Sequence, residues 1–493
     1  MTAHGCVALS DGGPLLAVCE QQRVTRVRGA GCNASGLPDE ALDTLLERLG
    51  QRRDDVTRYA AGEAGVGMID GKQVERFDHH MAHACAAYLS SPFSSATIVV
   101  CDHDAPKVSA WRGQGRDISR IEWPWEGPGF TDVYSEGAAV LGFTGGGTRD
   151  HRMEVLARLR PDSRNARIDR LFTCDGHSLS VEPGWRAELE ACVAAATNGD
   201  RMTARATVAA ALQARLGELF ADFLRRVREH ARDDRLCVGG TLFYQSSLNT
   251  IAKQSGLFTD VFVPIDPGDP GLAVGTALHA NGCEPRAVSP FLGPEYAGSE
   301  LKRTLDNCKL HYNWVSDEQA IEAAVSALQK GMLVAWFEGA MEWGPRALGG
   351  RSILASPFSQ YVLDNLNGFL KLREPWRGYA LSALEEVVPE NFDGPARAPF
   401  MECDYRVHDA KRFGYVLPAP QAAIRVHSVG RQSPRRFARL LKAFGAATGF
   451  PGLVNTSFNG FHEPIVCSPR DAVRVFYGSG IDMLVLDQFI LTK

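Results

Sequence analysis

The apolar runs of this chain are short, and most end in a glycine- or proline-rich loop that opens onto a helical pattern. Residues 96–101 run into Asp102-His103-Asp104, residues 236–238 into Gly239-Gly240, residues 333–337 into a Gly-Pro-Arg loop, and residues 452–454 into the loop 455–459. Strand, loop and helix in alternation specify an α/β fold whose polar chemistry sits at the strand ends. No run approaches the roughly 20 apolar residues of a membrane span, so no membrane partner is expected. At 493 residues the chain exceeds one ordinary domain. Pro285, Pro290 and Pro294 crowd one short stretch and mark the expected boundary, giving domains over residues 1–295 and 296–493.

Finer patterning fills in both parts. A turn at Ser10-Asp11-Gly12-Gly13 joins runs 5–9 and 14–19 into a hairpin. Helical spacing appears over 38–49, over the His- and Ala-rich stretch 77–90, and over 201–232, where Val208, Leu212, Leu216, Leu219, Phe223 and Val227 form one apolar stripe. A Gly-rich turn over 142–148 precedes a basic helix that ends near Pro161. Further helices are expected over 272–280, 317–329, from the Gly-Pro-Arg loop to about Lys371, over 434–448 and over 468–476.

Composition narrows the class of function. Lys and Arg number 53 against 58 Asp and Glu, a net charge of −5, so nothing draws the chain generally to a polyanion and no nucleic-acid partner is expected. Twelve cysteines without a CxxC pair suit reduced thiols better than a disulfide frame or a zinc ribbon. The first residues have neither a basic nor an apolar leader region, and a cytoplasmic enzyme is the expectation.

Four constellations carry candidate chemistry. In Asp78-His79-His80-Met81-Ala82-His83, the spacing of His79 and His83 puts both imidazoles on one helical face, a grip that Zn, Fe, Mn or Ni accepts. Asp102, at the end of the next strand, can add a carboxylate; the alternative is a plain pair of surface histidines. The loop 264–271 sets Gly268 and Asp269 before a small-residue helix, where Asp269 can complete a metal site or position a ribose, or the loop can merely turn. Gly239-Gly240 is a similar place for backbone to approach a phosphate.

The third constellation is Glu342-Trp-Gly-Pro-Arg346-Ala-Leu-Gly-Gly-Arg351-Ser352, an anion cradle in which guanidinium forks match phosphate oxygens. Lys371, Arg373 and Arg377 add cations shortly after it. The fourth is Asn455-Thr-Ser457-Phe-Asn459, whose side chains suit a carbamoyl, phosphate or amide ligand, with Arg425 on the strand before it.

Together these motifs resemble the NodU/CmcH family of O-carbamoyltransferases along nearly the whole chain. The resemblance begins at Glu20-Gln-Gln-Arg23-Val-Thr-Arg26, runs through the histidine helix, Asp102 and Asp269, and is densest over 341–352, 371–377 and 455–469. It implies an N-terminal ASKHA domain (actin/hexokinase-like, with RNase H-like repeats) and a C-terminal YrdC-like α/β domain. In such a pair, the YrdC-like domain joins carbamoyl phosphate and ATP, taken with Mg²⁺, into carbamoyl-adenylate and releases pyrophosphate. The ASKHA domain, holding Fe(II) or another divalent ion, then passes the carbamoyl group to a hydroxyl of a small specialised metabolite such as an antibiotic.

Carried over by position, His79, His83, Asp102 and Asp269 fall on the metal ligands. Arg346, Lys371 and Ser457 fall on catalytic positions. With Arg377 and Arg425 they handle carbamoyl phosphate and nucleotide phosphates, helped by Arg351, Arg373, Asn455, Asn459, Gly239, Gly240 and Gly268. His4 stands for the family's early histidine, the general base, with shorter spacing to Asp11-Gly12 than the family has. Elsewhere the family's Asp-Gly-x-Gly becomes Asp102-His103-Asp104-Ala105, its Glu-Gly-Lys-x-Met-Gly is replaced by Arg149-Asp-His-Arg-Met153, and its His-x-Asp-Gly-Thr-Ala-Arg becomes Pro420-Gln-Ala-Ala-Ile-Arg425. Two rival readings are carbamoyl-type transfer to tRNA and a non-catalytic binding protein on the same scaffold. The acceptor, the metal and any homo-oligomer are left open.

Overall fold

The computed structural model describes residues 4–62, 66–145, 149–196 and 200–493. Part of the expected Gly-rich turn, residues 146–148, lies outside them. The chain is mixed α/β as expected, and its strands fall into two main sheets drawn from opposite halves of the sequence.

The N-terminal half opens with the expected hairpin, β1 (Cys6–Ser10) and β2 (Leu15–Glu20), followed by helix α1 (Asp39–Leu49). Helix α2 (His79–Leu89) starts where Asp78 accepts a hydrogen bond from the Met81 amide, a cap worth about 1 kcal/mol. It leads into β3 (Ser95–Cys101), β4 (Val108–Gln114) and β5 (Asp117–Ile121), then α3 (Arg149–Ala157) and the long α4 (Arg201–Ala231). All six residues of the stripe read on α4 are buried, each contributing about 2 kcal/mol to burial of the core. Beyond it come β6 (Arg235–Gly239), α5 (Ser246–Gln254), β7 (Asp260–Phe262) and α6 (Asp269–Ala280). The sheet order is β7-β6-β3-β4-β5, with β3, β4 and β5 antiparallel and β6 and β7 parallel to β3. Three antiparallel strands are thus continued by two parallel ones.

The C-terminal half holds α7 (Asp317–Gln329), β8 (Val334–Phe337), β9 (Arg351–Ala355), β10 (Ala380–Leu384), β11 (Asp404–Val407), β12 (Ile424–Val429), α8 (Arg435–Thr448), β13 (Gly452–Ser457), α9 (Pro469–Tyr477) and β14 (Met483–Leu486). Their order within a ten-stranded sheet is β14-β8-β9-β13-β10-β12-β11. Two expectations need correction here. The segment after the Gly-Pro-Arg loop is a strand, β9; helical structure is confined to Val362–Asp364 and a π-helical turn Asn365–Leu370 before Lys371. Asn455 and Ser457 belong to β13 and only Asn459 lies in the loop beyond it, because Leu453 and Val454 continue a ladder with β9 and β10.

The halves share a core: Trp343 and Leu348 pack in one cluster with Ala84, Val274 and Ile265. The motif Glu20…Arg23…Arg26 is the strap between them. Glu20 accepts from the Gly344 amide (3.0 Å), Arg23 donates to the Gly344 carbonyl (2.5 Å), and Arg26 donates to the carbonyls of Pro464 and Ile465. Arg23 and Glu20, both buried, pair at 3.1 Å.

Candidate functional site

Parallel pairing of β3 with β6 brings both strands out at the same sheet edge, so Asp102 and Thr241 emerge side by side. Oδ1 of Asp102 accepts from the Thr241 amide (3.0 Å) and hydroxyl, which leaves Oδ2 to face α2. Helix α6 packs against α2 so closely that a Cβ on Gly275 would lie 2.4 Å from the Ala82 carbonyl oxygen. That approach delivers Asp269, the first residue of α6, to the histidines.

The result is a four-donor cluster with all ligand atoms within 4.8 Å of one another. Nε2 of His79 lies 2.8 Å from Asp102 Oδ2 and 3.1 Å from His83 Nε2, and Asp269 Oδ1 lies 3.9 and 3.8 Å from the two rings. Two imidazole nitrogens aimed at one point between two carboxylates suit a divalent cation, whose cis ligands stand roughly 3 Å apart. Hydrogen bonding to Asp102 raises the His79 pKa. Burial would raise that of Asp102, but His79, His83 and Thr241 hold it well below the carboxylate range. His80 faces away: its ring bonds Ser109 Oγ (2.7 Å) and the Asp104 carbonyl (3.3 Å), and burial pushes its pKa down to about 4. Asp104 itself stands 3.4 Å from His79.

Three glycines expected near phosphate also let neighbouring segments approach closely: a Cβ on Gly239 would lie 3.0 Å from the His83 carbonyl, on Gly240 (φ +97°) 2.2 Å from the Cys101 carbonyl, and on Gly268 2.4 Å from the Tyr244 hydroxyl. His4, exposed and at φ 72°, sits within electrostatic reach of Asp269.

The second cluster lies at one end of the larger sheet. In register, Ser352 stands opposite Ser457, Ala380 opposite Asn455 and Leu381 opposite Val426, so the starts of β9, β10 and β12 and the end of β13 share that edge. The loop into β9 wraps a fully buried carboxylate: Glu342 Oε1 accepts from the amides of Leu348, Gly350 and Arg351 at 2.7, 3.2 and 3.1 Å. Arg346 is left at the tip, and among the described residues its guanidinium has no hydrogen-bond or ion-pair partner. Lys371 donates to the carbonyls of Ser457 (2.6 Å) and Asn459 (3.1 Å) and to Asn459 Oδ1, while Ser457 Oγ donates to the same Oδ1 (2.7 Å). Burial and the neighbouring Arg373 push the Lys371 pKa well down. Arg373 stacks on Tyr379 at 4.1 Å and donates to Asn367 Oδ1; Arg377 stands 3.6 Å from Glu374, and burial brings its pKa down to about 10.

Two residues expected to contact phosphate also bond this chain's own groups, although Arg351 Nε and Asn455 Oδ1 are buried without a hydrogen-bond partner. Arg351 is wholly buried over the Phe337 ring at 3.5 Å and donates to the carbonyls of Glu338, Gly339, Gly350 and Pro294. A ligand would have to displace those bonds. Asn455 braces the Arg346 loop, donating to the Ala347 carbonyl (3.1 Å) and to Ser382 Oγ (2.8 Å).

Helix α3, from the N-terminal half, closes this cluster from the far side. Arg152 donates to Glu374 (2.6 and 2.9 Å). Arg158, one turn beyond Glu154, bonds Asp404 (2.9 Å), Ser246 (2.6 Å) and Glu154 (2.8 Å). Burial, with Arg425, Arg377 and Arg346 nearby, drives the His151 pKa well down. Sequence reasoning missed Thr241, Glu154, Arg158 and Asp404, and gave Glu342 no role of its own. The i,i+4 spacing of Glu154 and Arg158 was visible, but their cross-sheet partner was not.

An α/β scaffold that carries a metal-type donor cluster on one sheet and a cation-rich cradle on the other defines the class: an enzyme that handles a small anionic group. The carbamoyltransferase N-terminus family model matches residues 40–278, and the carbamoyltransferase C-terminus model matches residues 325–493. This chain belongs to the carbamoyltransferase family. Nodulation protein NolO of Bradyrhizobium diazoefficiens is 30% identical over 84% of this chain and 79% of its own length. The 3'-hydroxymethylcephem-O-carbamoyltransferase of Amycolatopsis lactamdurans is 29% identical over 98% of this chain and 96% of that enzyme. Among solved structures, HypF of T. kodakarensis is a remote likeness, with 12% identity and a TM-score of 0.35 over 57% of this chain and 47% of that one. No helix among the described residues is long and apolar enough to cross a membrane.

Proposed function

We propose that the protein is an ATP-dependent O-carbamoyltransferase whose two clusters run consecutive reactions, with the division between them near residues 295–296. The observation that carries this reading is the unpaired Arg346 and Arg425 beside the Lys371–Ser457–Asn459 knot, in an edge closed off by α3. Half-buried guanidiniums without carboxylate partners stabilise an incoming anion, and an enclosed edge limits the bulk water that would hydrolyse a mixed anhydride. There one water cleaves carbamoyl phosphate to carbamate and phosphate, and the carbamate oxygen attacks the α-phosphorus of ATP, held with Mg²⁺, so that carbamoyl-adenylate forms and pyrophosphate leaves. Arg346 and Arg425 offset the phosphate charge, while Lys371, Arg377 and Ser457 orient the reacting groups.

At the other cluster His79, His83, Asp102 and Asp269 would hold Fe(II) or another divalent ion. When bound, such an ion supplies positive charge against the carbamoyl oxygen or the leaving phosphate. Thr241 keeps Asp102 turned toward that site, and His4 is the nearby imidazole available to take the proton of the attacking hydroxyl. The acceptor is a hydroxylated small molecule; the identity with the cephem enzyme over both full lengths favours a specialised metabolite over tRNA. The test uses the purified protein with ATP, Mg²⁺ and carbamoyl phosphate, following pyrophosphate against a control lacking carbamoyl phosphate. Carbamoyl-phosphate-dependent release is expected; its absence, with hydroxylated acceptors present, overturns the reading.

A further inference from the structure

Arg425 and Asp404 are directly opposite one another on the antiparallel pair β12 and β11. Cross-strand partners of this kind have Cβ atoms about 5 Å apart on one face of the sheet, so an Asp and an Arg placed there ordinarily pair. Here they do not. Asp404 Oδ1 accepts from Arg158 Nε at 2.9 Å, and Arg425 Nη1 is buried with no hydrogen-bond partner. The other nearby carboxylate, Glu154, is also taken: its Oε1 lies 2.8 Å from Arg158 and accepts from the amide and hydroxyl of Ser246. Arg158 is buried, and its place is fixed by its own carbonyl, which accepts from the Ala423 amide at 3.1 Å, two residues before Arg425. A narrow cavity lined by Val155, Arg158, Tyr379 and Arg425 opens between them.

We infer that Arg158 is a positioning residue: by occupying Asp404 and Glu154 it keeps the Arg425 guanidinium unpaired and open to a phosphate-bearing substrate. The inference rests on the proposed anion site. It adds that the N-terminal half sets the affinity of a site built on the C-terminal sheet. Without Arg158, the freed Asp404 swings onto Arg425 and competes with substrate as an internal anion.

The experiment measures carbamoyl phosphate binding by calorimetry, and pyrophosphate release, in the full chain. Arg158→Met is expected to weaken binding by about tenfold or more, the scale of one buried charge pair, mainly through KM with kcat at saturation less affected. Arg158→Met/Asp404→Asn, in which the released carboxylate is gone, is expected to recover most of that loss. A purely structural role predicts the opposite, with the double variant no better than the single. Unchanged binding in Arg158→Met, or no recovery in the folded double variant, overturns the inference. Should Arg158→Met fail to fold, the neutral triple Arg158→Met/Glu154→Gln/Asp404→Asn replaces the whole buried triad; folded triple variant that binds weakly likewise overturns it. A wild type that binds inorganic pyrophosphate but not carbamoyl phosphate would sink the proposed reaction alone, and the same variants compared with pyrophosphate would still decide the role of Arg158. A wild type that binds neither overturns both.

Discussion

The two clusters are built on opposite principles. The His79–His83–Asp102–Asp269 cluster is compact, its donors all within 4.8 Å of one another, and it is positioned by backbone contact: Gly275 against α2, Gly239 against the His83 carbonyl, Gly240 against Cys101. The cation cradle is spread over three loops and two strands and is positioned by other charged groups, with Glu342 folding one loop and Arg158 holding two carboxylates aside. Close backbone packing holds four donors in a small volume, the size that suits a compact cation. Charges spaced along a sheet edge, some deliberately unpaired, fit an extended anion. The contrast also implies different vulnerabilities: the first site fails when a donor is lost, the second when its charge balance shifts.

The largest expected effects separate the two. Arg346→Ala should lower carbamoyl-phosphate-dependent pyrophosphate release by about 10² to 10³, the range for loss of one preorganised charge donor, with bound divalent metal unchanged by elemental analysis. His79→Ala should do the reverse, losing the metal and acceptor carbamoylation while pyrophosphate release survives within about tenfold. Equal loss of both activities in both folded variants would break the comparison.

A smaller effect sharpens it. Thr241→Val removes the hydroxyl that turns Asp102 toward the donors and leaves the backbone amide bond in place. Metal affinity should fall by about 10- to 100-fold, as for other groups that orient a ligand, read by competition with a chelating dye. Pyrophosphate release should stay as it was; a matching drop there would mean that the two sites are coupled through β6.

Both residues also show where the sequence was legible and where it was not. The histidine spacing, Asp102 at a strand end and Asp269 at a helix start were local features, and the structure brings all four together. Arg346 on a Gly-Pro loop was likewise local. Thr241 and Arg158 could not be read, because each acts on a residue more than a hundred positions away through strand pairings that only the sheet order reveals. Arg351 makes contacts that were hidden for a related reason. It follows two glycines like a phosphate ligand, yet it opens β9, whose buried ladder turns the side chain onto Phe337 and the backbone carbonyls. Gly239-Gly240 admits a neighbouring backbone segment, and in sequence that leaves the same trace as a glycine that admits a ligand.

The smallest expected effect concerns the brace beneath the cradle. Asn455 links the Arg346 loop to Ser382, and Ser382 bonds Nδ1 of His427, a fully buried ring lying against Phe437. Burial pushes the His427 pKa down to about 3, so the folded protein keeps the ring neutral where the unfolded chain, near 6.5, takes up a proton. Between those two values the unfolded state binds more protons, and stability therefore falls as pH falls. From pH 7 to pH 5 this one ring should cost about 2 kcal/mol. His427→Gln keeps a polar partner for Ser382 without the titration, so its loss of unfolding free energy over the same pH interval should be smaller by that amount. The metal cluster supplies the contrast: Thr241→Val leaves His427 untouched and should show the wild-type slope. If His427→Gln and wild type lose stability in parallel, the brace is hydrated rather than buried, and the cradle is held by Glu342 alone.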